Sequence, residues 1–202
     1  QTLWQQLGEA GLLGVAVAEE YGGMGFGFTE LALFIEEVGR TIAPVPVISH
    51  LVCAALPIQH FGNTEQKQRL LPGAASGEMI LSAALMESLN ENACAPLSVT
   101  ASATADGLVL NGVKTCVPFA DRAERVLLSA KTAQGVVVVL VDPKAKGVKL
   151  SEVKVTTYEP QFELDLDNVV VAAADILVAE TQGAAAMQWI TERASAAICA
   201  HQ

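Results

Sequence analysis

Along this chain the spacing of apolar residues changes twice. Leu31, Phe34, Ile35 and Val38 fall at i, i+3, i+4 and i+7, which puts them on one helix face. Leu51, Ala54, Ala55 and Ile58 repeat that spacing, with Pro57 expected to end or kink the second helix. Thr64 reads as the N-cap of a further helix through Leu71, with Glu65 in its first turn and Pro72 as the stop. Helix is therefore expected over most of 28–40 and 48–71. From Met79 to about Val178 the period is two. Val99, Ala101 and Ala103 alternate with Thr100, Ser102 and Thr104 ahead of a turn at Asp106-Gly107. Further strands are expected at Leu108–Leu110, Arg125–Ala130, Val136–Val141, Val153–Thr157 and Phe162–Leu166, with Asn111-Gly112 and Asp142-Pro143 as connections. After Gly183, Met187, Ile190, Ala194 and Ala197 restore helical spacing.

The expected fold class is α+β. A helical domain (1–78) precedes an antiparallel β-barrel or sandwich (79–178) and the start of a C-terminal helical domain (179–202). Short strands with tight turns and no intervening helix argue against a parallel α/β sheet. The last helix reaches Gln202 without a cap, so Met187, Trp189 and Ile190 are expected to pack against a further domain or subunit.

Composition narrows the function classes. The chain is 51% hydrophobic and 17% charged, which supplies a core and argues against disorder. No apolar run reaches the roughly 18 residues of a membrane helix, and Gln1 to Gln6 show no signal peptide. Twelve Lys and Arg against 22 Asp and Glu give a net charge of −10, which repels a phosphate backbone and makes nucleic acid an unexpected partner. Cys53, Cys94, Cys116 and Cys199 form no C-x-x-C pair and read as buried, reduced thiols of a cytoplasmic protein. His50 and Cys53 have a metal-like spacing, but no second pair completes a site, so no metal is expected.

Three candidate chemistries fall away on local grounds. Tyr21-Gly22-Gly23-Met24-Gly25-Phe26-Gly27 is glycine-rich and precedes a helix, but the dinucleotide pattern from Gly23 fails at its third glycine. A structural turn is the better reading, since glycine is the default left-handed residue. Glu19-Glu20 and Glu36-Glu37 are adjacent pairs that cannot face each other on a helix, and Glu36 stands four before Arg40, an ordinary surface pair. No serine has a G-x-S-x-G context.

The residue strings resemble the acyl-CoA dehydrogenase family. Gly11-Leu12-Leu13-Gly14, Glu19 to Gly25, and Glu36-Glu37-Val38-Gly39-Arg40 come first. Gly62 to Pro72 with Gly77-Glu78, then Leu110-Asn111-Gly112-Val113-Lys114 with Ala120 and Ala123-Glu124, and Phe162 to Val169 follow in order. The resemblance implies a helical domain, a β-barrel and a second helical domain, usually in a tetramer. It also implies oxidation of an acyl-CoA across its α and β carbons, with a carboxylate taking the α proton and FAD taking the hydride. Electron-transfer flavoprotein is the acceptor this implies, with fatty acid or sterol side-chain catabolism as the setting. Homo- and hetero-oligomers both stay open, including a non-catalytic subunit that completes a partner's flavin or acyl-CoA pocket.

Departures fall on the flavin contacts. Where the family usually has Ala-Leu-Thr-Glu-Pro and then Gly-Ser-Asp, this chain has Ala84-Leu85-Met86-Glu87-Ser88 and Glu91-Asn92-Ala93. Where it usually has Trp-Ile-Thr, this chain has Cys116-Val117-Pro118. The positions implied for cofactor binding are Leu85, Met86, Cys116, Val117 and Pro118, with Asn92 and Arg193 toward substrate. Met86 lacks a hydroxyl, Cys116 an aromatic face, and Pro118 both a hydroxyl and an N–H. Glu192-Arg193 resembles the pair through which some members supply base and arginine. A shift of two residues would instead place Ala194 and Ser195 there and leave no base, and a solvated helix-face glutamate is the ordinary outcome.

Overall fold

The structure, a computed structural model, describes residues 2–90, 92–156 and 159–202. The chain forms two compact units, Gln1–Leu81 with Ile190–Gln202, and Ser82–Trp189. The first holds α1 (Leu3–Glu9), α2 (Phe28–Arg40), a π-helical segment (Ile48–Ala55) running into α3 (Leu56–Phe61), and α4 (Thr64–Ser76). It also takes the later part of α5 (Gly183–His201).

In α2, Leu31, Ile35 and Val38 are buried as their spacing requires, while Phe34 is only half-buried. Arg40 hydrogen-bonds Glu37, three residues back, while Glu36, the expected partner, acts on it through its charge. Pro57 does not end its helix. It sits in the first turn of α3, where the chain passes from π-helical to α-helical register. The cap of α4 is Asn63 rather than Thr64: the Asn63 side chain accepts from Gln66 N at 2.8 Å, and Gln66 Oε1 accepts from Asn63 N at 3.0 Å. Nor does Pro72 stop α4. It lies on the exposed face, so the Gln68 carbonyl it leaves can turn to water, while buried Leu70, Leu71, Ala74 and Ala75 carry the helix on to Ser76.

The glycine-rich segment is a turn whose N–H groups are already committed. Met24 N donates to Gly14 O at 2.8 Å, Gly25 N to Val17 O at 2.8 Å and Phe26 N to Val15 O at 3.0 Å. A Cβ on Gly23 would stand 2.0 Å from Val17 O, so glycine is needed there for close approach. Val15–Val17 is not a strand. It is held by Gln59, which donates to Ala16 O at 3.1 Å and accepts from Ala18 N at 2.8 Å.

The second unit is one eight-stranded sheet in the order β6-β7-β3-β2-β4-β5-β8, with β1 on β4. The strands are β1 (Leu81–Ala84), β2 (Thr100–Ala103), β3 (Gly107–Pro118), β4 (Arg125–Lys131), β5 (Val136–Val141), β6 (Val148–Val153), β7 (Gln161–Ala172) and β8 (Ile176–Val178). The long pairings are antiparallel, and β2 meets β4 in parallel at Thr100 and Lys131. Inward residues of β1 to β5 and β7, with partly buried Val148, Leu150 and Ile176, share one core, so the sheet wraps around it. The strand expected at Val153–Thr157 is displaced: β6 ends at Val153, residues 154–156 are not strand, and Thr157 lies outside the described residues.

Asn111-Gly112 is not a connection but the middle of β3. Opposite it β7 carries an extra residue near Asn168, whose φ is 51°. A Cβ on Gly112 would stand 2.3 Å from Ser98 O, so this glycine marks a close backbone crossing. Met187 and Ile190 of α5 are already fully buried within the chain, where a further domain or subunit was expected to cover them, while Trp189 is half-buried. The later part of α5 is admitted by Gly39 of α2, where a Cβ would stand 1.8 Å from His201 O.

Candidate functional site

The site expected from the sequence joins the end of β1 to the end of β3. Inward burial along β3 falls on Leu108, Leu110, Lys114 and Val117. Between Lys114 and Val117 the strand carries one residue more than β7, and Cys116 adopts φ 53°. This bulge frees Thr115 from the ladder with β7, and Thr115 N instead donates to Met86 O at 3.0 Å. Bulges of this kind re-aim side chains at barrel rims. Met86 is exposed, while Leu85, Thr115, Cys116 and Pro118 are half-buried. Together they make a mostly apolar wall.

Each predicted position has its own fate. Val117 turns fully into the barrel core, so it can offer a ligand only backbone. Pro118 has no N–H, and its carbonyl accepts from the Ser82 hydroxyl. The next residue, Phe119, takes φ 50° and donates to Pro160 O at 2.9 Å. Asn92 is exposed in the loop after β1, where its side-chain oxygen accepts from Cys94 N at 3.0 Å. Glu91 lies outside the described residues. Glu192 and Arg193 belong to the other unit, on α5, where Glu192 is exposed, Arg193 half-buried and Ala194 buried.

Behind the wall lies a group that sequence reasoning did not single out. Lys114 Nζ, fully buried, donates to Glu87 Oε1 at 2.9 Å. Glu87 Oε2 accepts from Leu97 N at 2.7 Å and Ser98 N at 2.8 Å, and Oε1 from Val99 N at 3.1 Å. Burial alone would raise the Glu87 carboxyl, but the Ser98 and Leu97 N–H groups and the Lys114 ammonium bring it down to about 2. Lys114 is lowered by burial, with Glu87 opposing the shift. The signal available in the sequence was Lys114 itself, which falls on the inward parity set by Leu108 and Leu110.

The remaining titratable candidates are structural. His50 is buried with both ring nitrogens engaged: Nδ1 accepts from Leu81 N at 2.9 Å and Nε2 stands 3.1 Å from Ala74 O. Burial, against those two backbone contacts, pushes it down to about 4. Burial pushes the Cys53 thiol up to about 12, which keeps it protonated. The other cysteines are not buried as expected: Cys94 and Cys116 are half-buried and Cys199 is exposed.

Comparison with known proteins matches residues 1–78 to the model of the acyl-CoA dehydrogenase N-terminal domain. Acyl-CoA dehydrogenase FadE28 of Mycobacterium tuberculosis is 32% identical over 174 residues, 86% of this chain and 48% of that protein. Among solved structures, the ChsE4–ChsE5 complex of Mycobacterium tuberculosis superposes with a TM-score of 0.90 at 30% identity, covering 98% of this chain and 52% of that one. The Tcur3481–Tcur3483 steroid ACAD G363A variant gives 0.88 at 38% identity, again over 98% and 52%. The chain spans about half the length of the curated relatives it matches.

Proposed function

Since the chain belongs to the acyl-CoA dehydrogenase family, we propose that it forms the flavin-facing part of an enzyme that dehydrogenates an acyl-CoA thioester between its α and β carbons. The observation that carries this reading is the Met86–Thr115 backbone bridge beside the Cys116 bulge. The family's cofactor is FAD, which when bound supplies the hydride acceptor. The residues present fit the face of such a ring. They offer an apolar, half-exposed surface from Leu85, Met86 and Pro118, with the Thr115 hydroxyl and Cys116 thiol as its polar groups. Met86, Cys116 and Pro118 reduce the hydrogen bonding available, so affinity rests on apolar contact and main chain. Losing one or two good bonds weakens binding by about ten- to a hundredfold.

Glu192 is the proposed base and Arg193 a proposed substrate contact by their likeness to the family pair, and Asn92 a second proposed substrate contact by its place in the run after Glu87. Electron-transfer flavoprotein is the proposed acceptor, a tetramer the proposed assembly, and the cytoplasm the proposed compartment. The unpaired cysteines suit that reducing compartment. Anaerobic addition of a series of acyl-CoA thioesters to the full-length, FAD-loaded protein tests the activity. Bleaching of the flavin's visible band by at least one thioester is expected, and its loss in Glu192→Gln would place the base. A second reading is favoured by the likeness to a two-component complex: the chain completes a partner's flavin site and turns over nothing alone. In that case the band bleaches only after the partner subunit is added.

A further inference from the structure

We propose that the buried Glu87–Lys114 ion pair is the positioning element of the flavin wall, holding Met86 and Cys116 on one continuous surface. The inference rests on the flavin reading above and names the residues that set its geometry. Glu87 and Lys114 each stand one residue from a member of the Met86–Thr115 bridge, so ion pair and backbone bond are neighbouring rungs between the same two segments. Side chains alternate along such rungs. Met86 turns outward while Glu87 and Lys114 turn inward, and locking the inner rung fixes the outer one.

Core packing does not call for a charge here. Lys114 occupies an inward position of β3 in line with Leu108, Leu110 and Val117, where an aliphatic side chain would fit the pattern without a buried charge. Nor is the pair available for chemistry. Glu87 receives Lys114, three backbone N–H groups and Asn90 Nδ2, the last at 3.3 Å, which fills its acceptor capacity. What the network does is gather chain. It ties the loop through residues 97–99 to β3, and Ser129 of β4 stands 3.5 Å from Lys114 Nζ while donating to Ala93 O at 2.9 Å. The loop after β1 is thereby fixed at both ends, with Met86 at its root.

The test measures FAD affinity and the visible spectrum of bound flavin in the full-length protein, its Lys114→Met variant, and Val139→Ala. Val139 lies in the same core on β5, outside the network, and serves as a destabilised control. Lys114→Met is expected to weaken FAD binding by about tenfold or more and to blur the fine structure of the flavin band. Val139→Ala should leave both close to wild type. Wild-type affinity in Lys114→Met, or an equal loss in Val139→Ala, would overturn the inference. Should Lys114→Met fail to fold, Ser129→Ala decides: a smaller loss of affinity at unchanged Tm supports positioning, and unchanged affinity refutes it. A wild type that binds no FAD overturns the flavin reading itself, an outcome distinct from a wild type and a Lys114→Met variant that bind equally well.

Discussion

His50 and Glu87 are buried polar side chains whose partners are mostly main chain, and both tie stability to pH. His50 folds with its pKa lowered to about 4 from 6.5, so between those values the unfolded chain binds more protons than the folded one. Its contribution is complete above pH 6.5, is lost as pH falls toward 4, and amounts to on the order of 3 kcal/mol. Glu87, lowered to about 2 from 4.5, contributes fully above 4.5 and loses its share as pH falls from there toward 2. The urea midpoint of the wild type should therefore be lower at pH 5 than at pH 7.5, with His50 a main contributor. In His50→Gln, which can still accept from Leu81 N, that drop should be much smaller. The divergence at Met86, Cys116 and Pro118 was legible in the sequence because it replaces hydroxyl and aromatic groups at recognisable positions. The Glu87–Lys114 pair was not, since 27 residues separate its members and only the fold of β3 onto the β1 end joins them.

Element boundaries followed periodicity where one face is buried and failed at breaker residues that the surrounding chain accommodates. Pro72 read as a stop and Pro57 as an end or a kink because their local rule is strong, yet exposure tolerates the first and a change from π- to α-helical register accompanies the second. Pro72→Ala should restore a hydrogen bond to Gln68 O. Set against the added freedom of the unfolded chain, it is expected to raise stability by about 1–2 kcal/mol in chemical denaturation. Asn111-Gly112 read as a turn for a similar reason, and only the crossing of Ser98 shows why glycine is there. At Gly39 the same close-approach logic gives the opposite sign. Gly39→Ala would drive a methyl into the His201 carbonyl of α5 and should lower stability by about 1–3 kcal/mol. A Tm equal to wild type would show that α5 shifts freely.

At the scale of the whole molecule, two units divide the expected roles. The barrel unit carries the wall of Met86, Thr115 and Cys116, and the helical unit carries Glu192 and Arg193. The α+β class and the order of helical and barrel segments were legible because the hydrophobic period switches cleanly between them. The parallel contact of β2 with β4 and the self-burial of α5 were not, since both depend on partners distant in sequence. The proposed function requires that the β1 end and the β3 bulge face a flavin. A crystal structure of the full-length protein grown with FAD measures this most directly. The isoalloxazine ring is expected within about 4 Å of Met86 and Cys116, with Val117 still in the core. A flavin bound elsewhere, with Met86 and Cys116 facing only solvent, would contradict it.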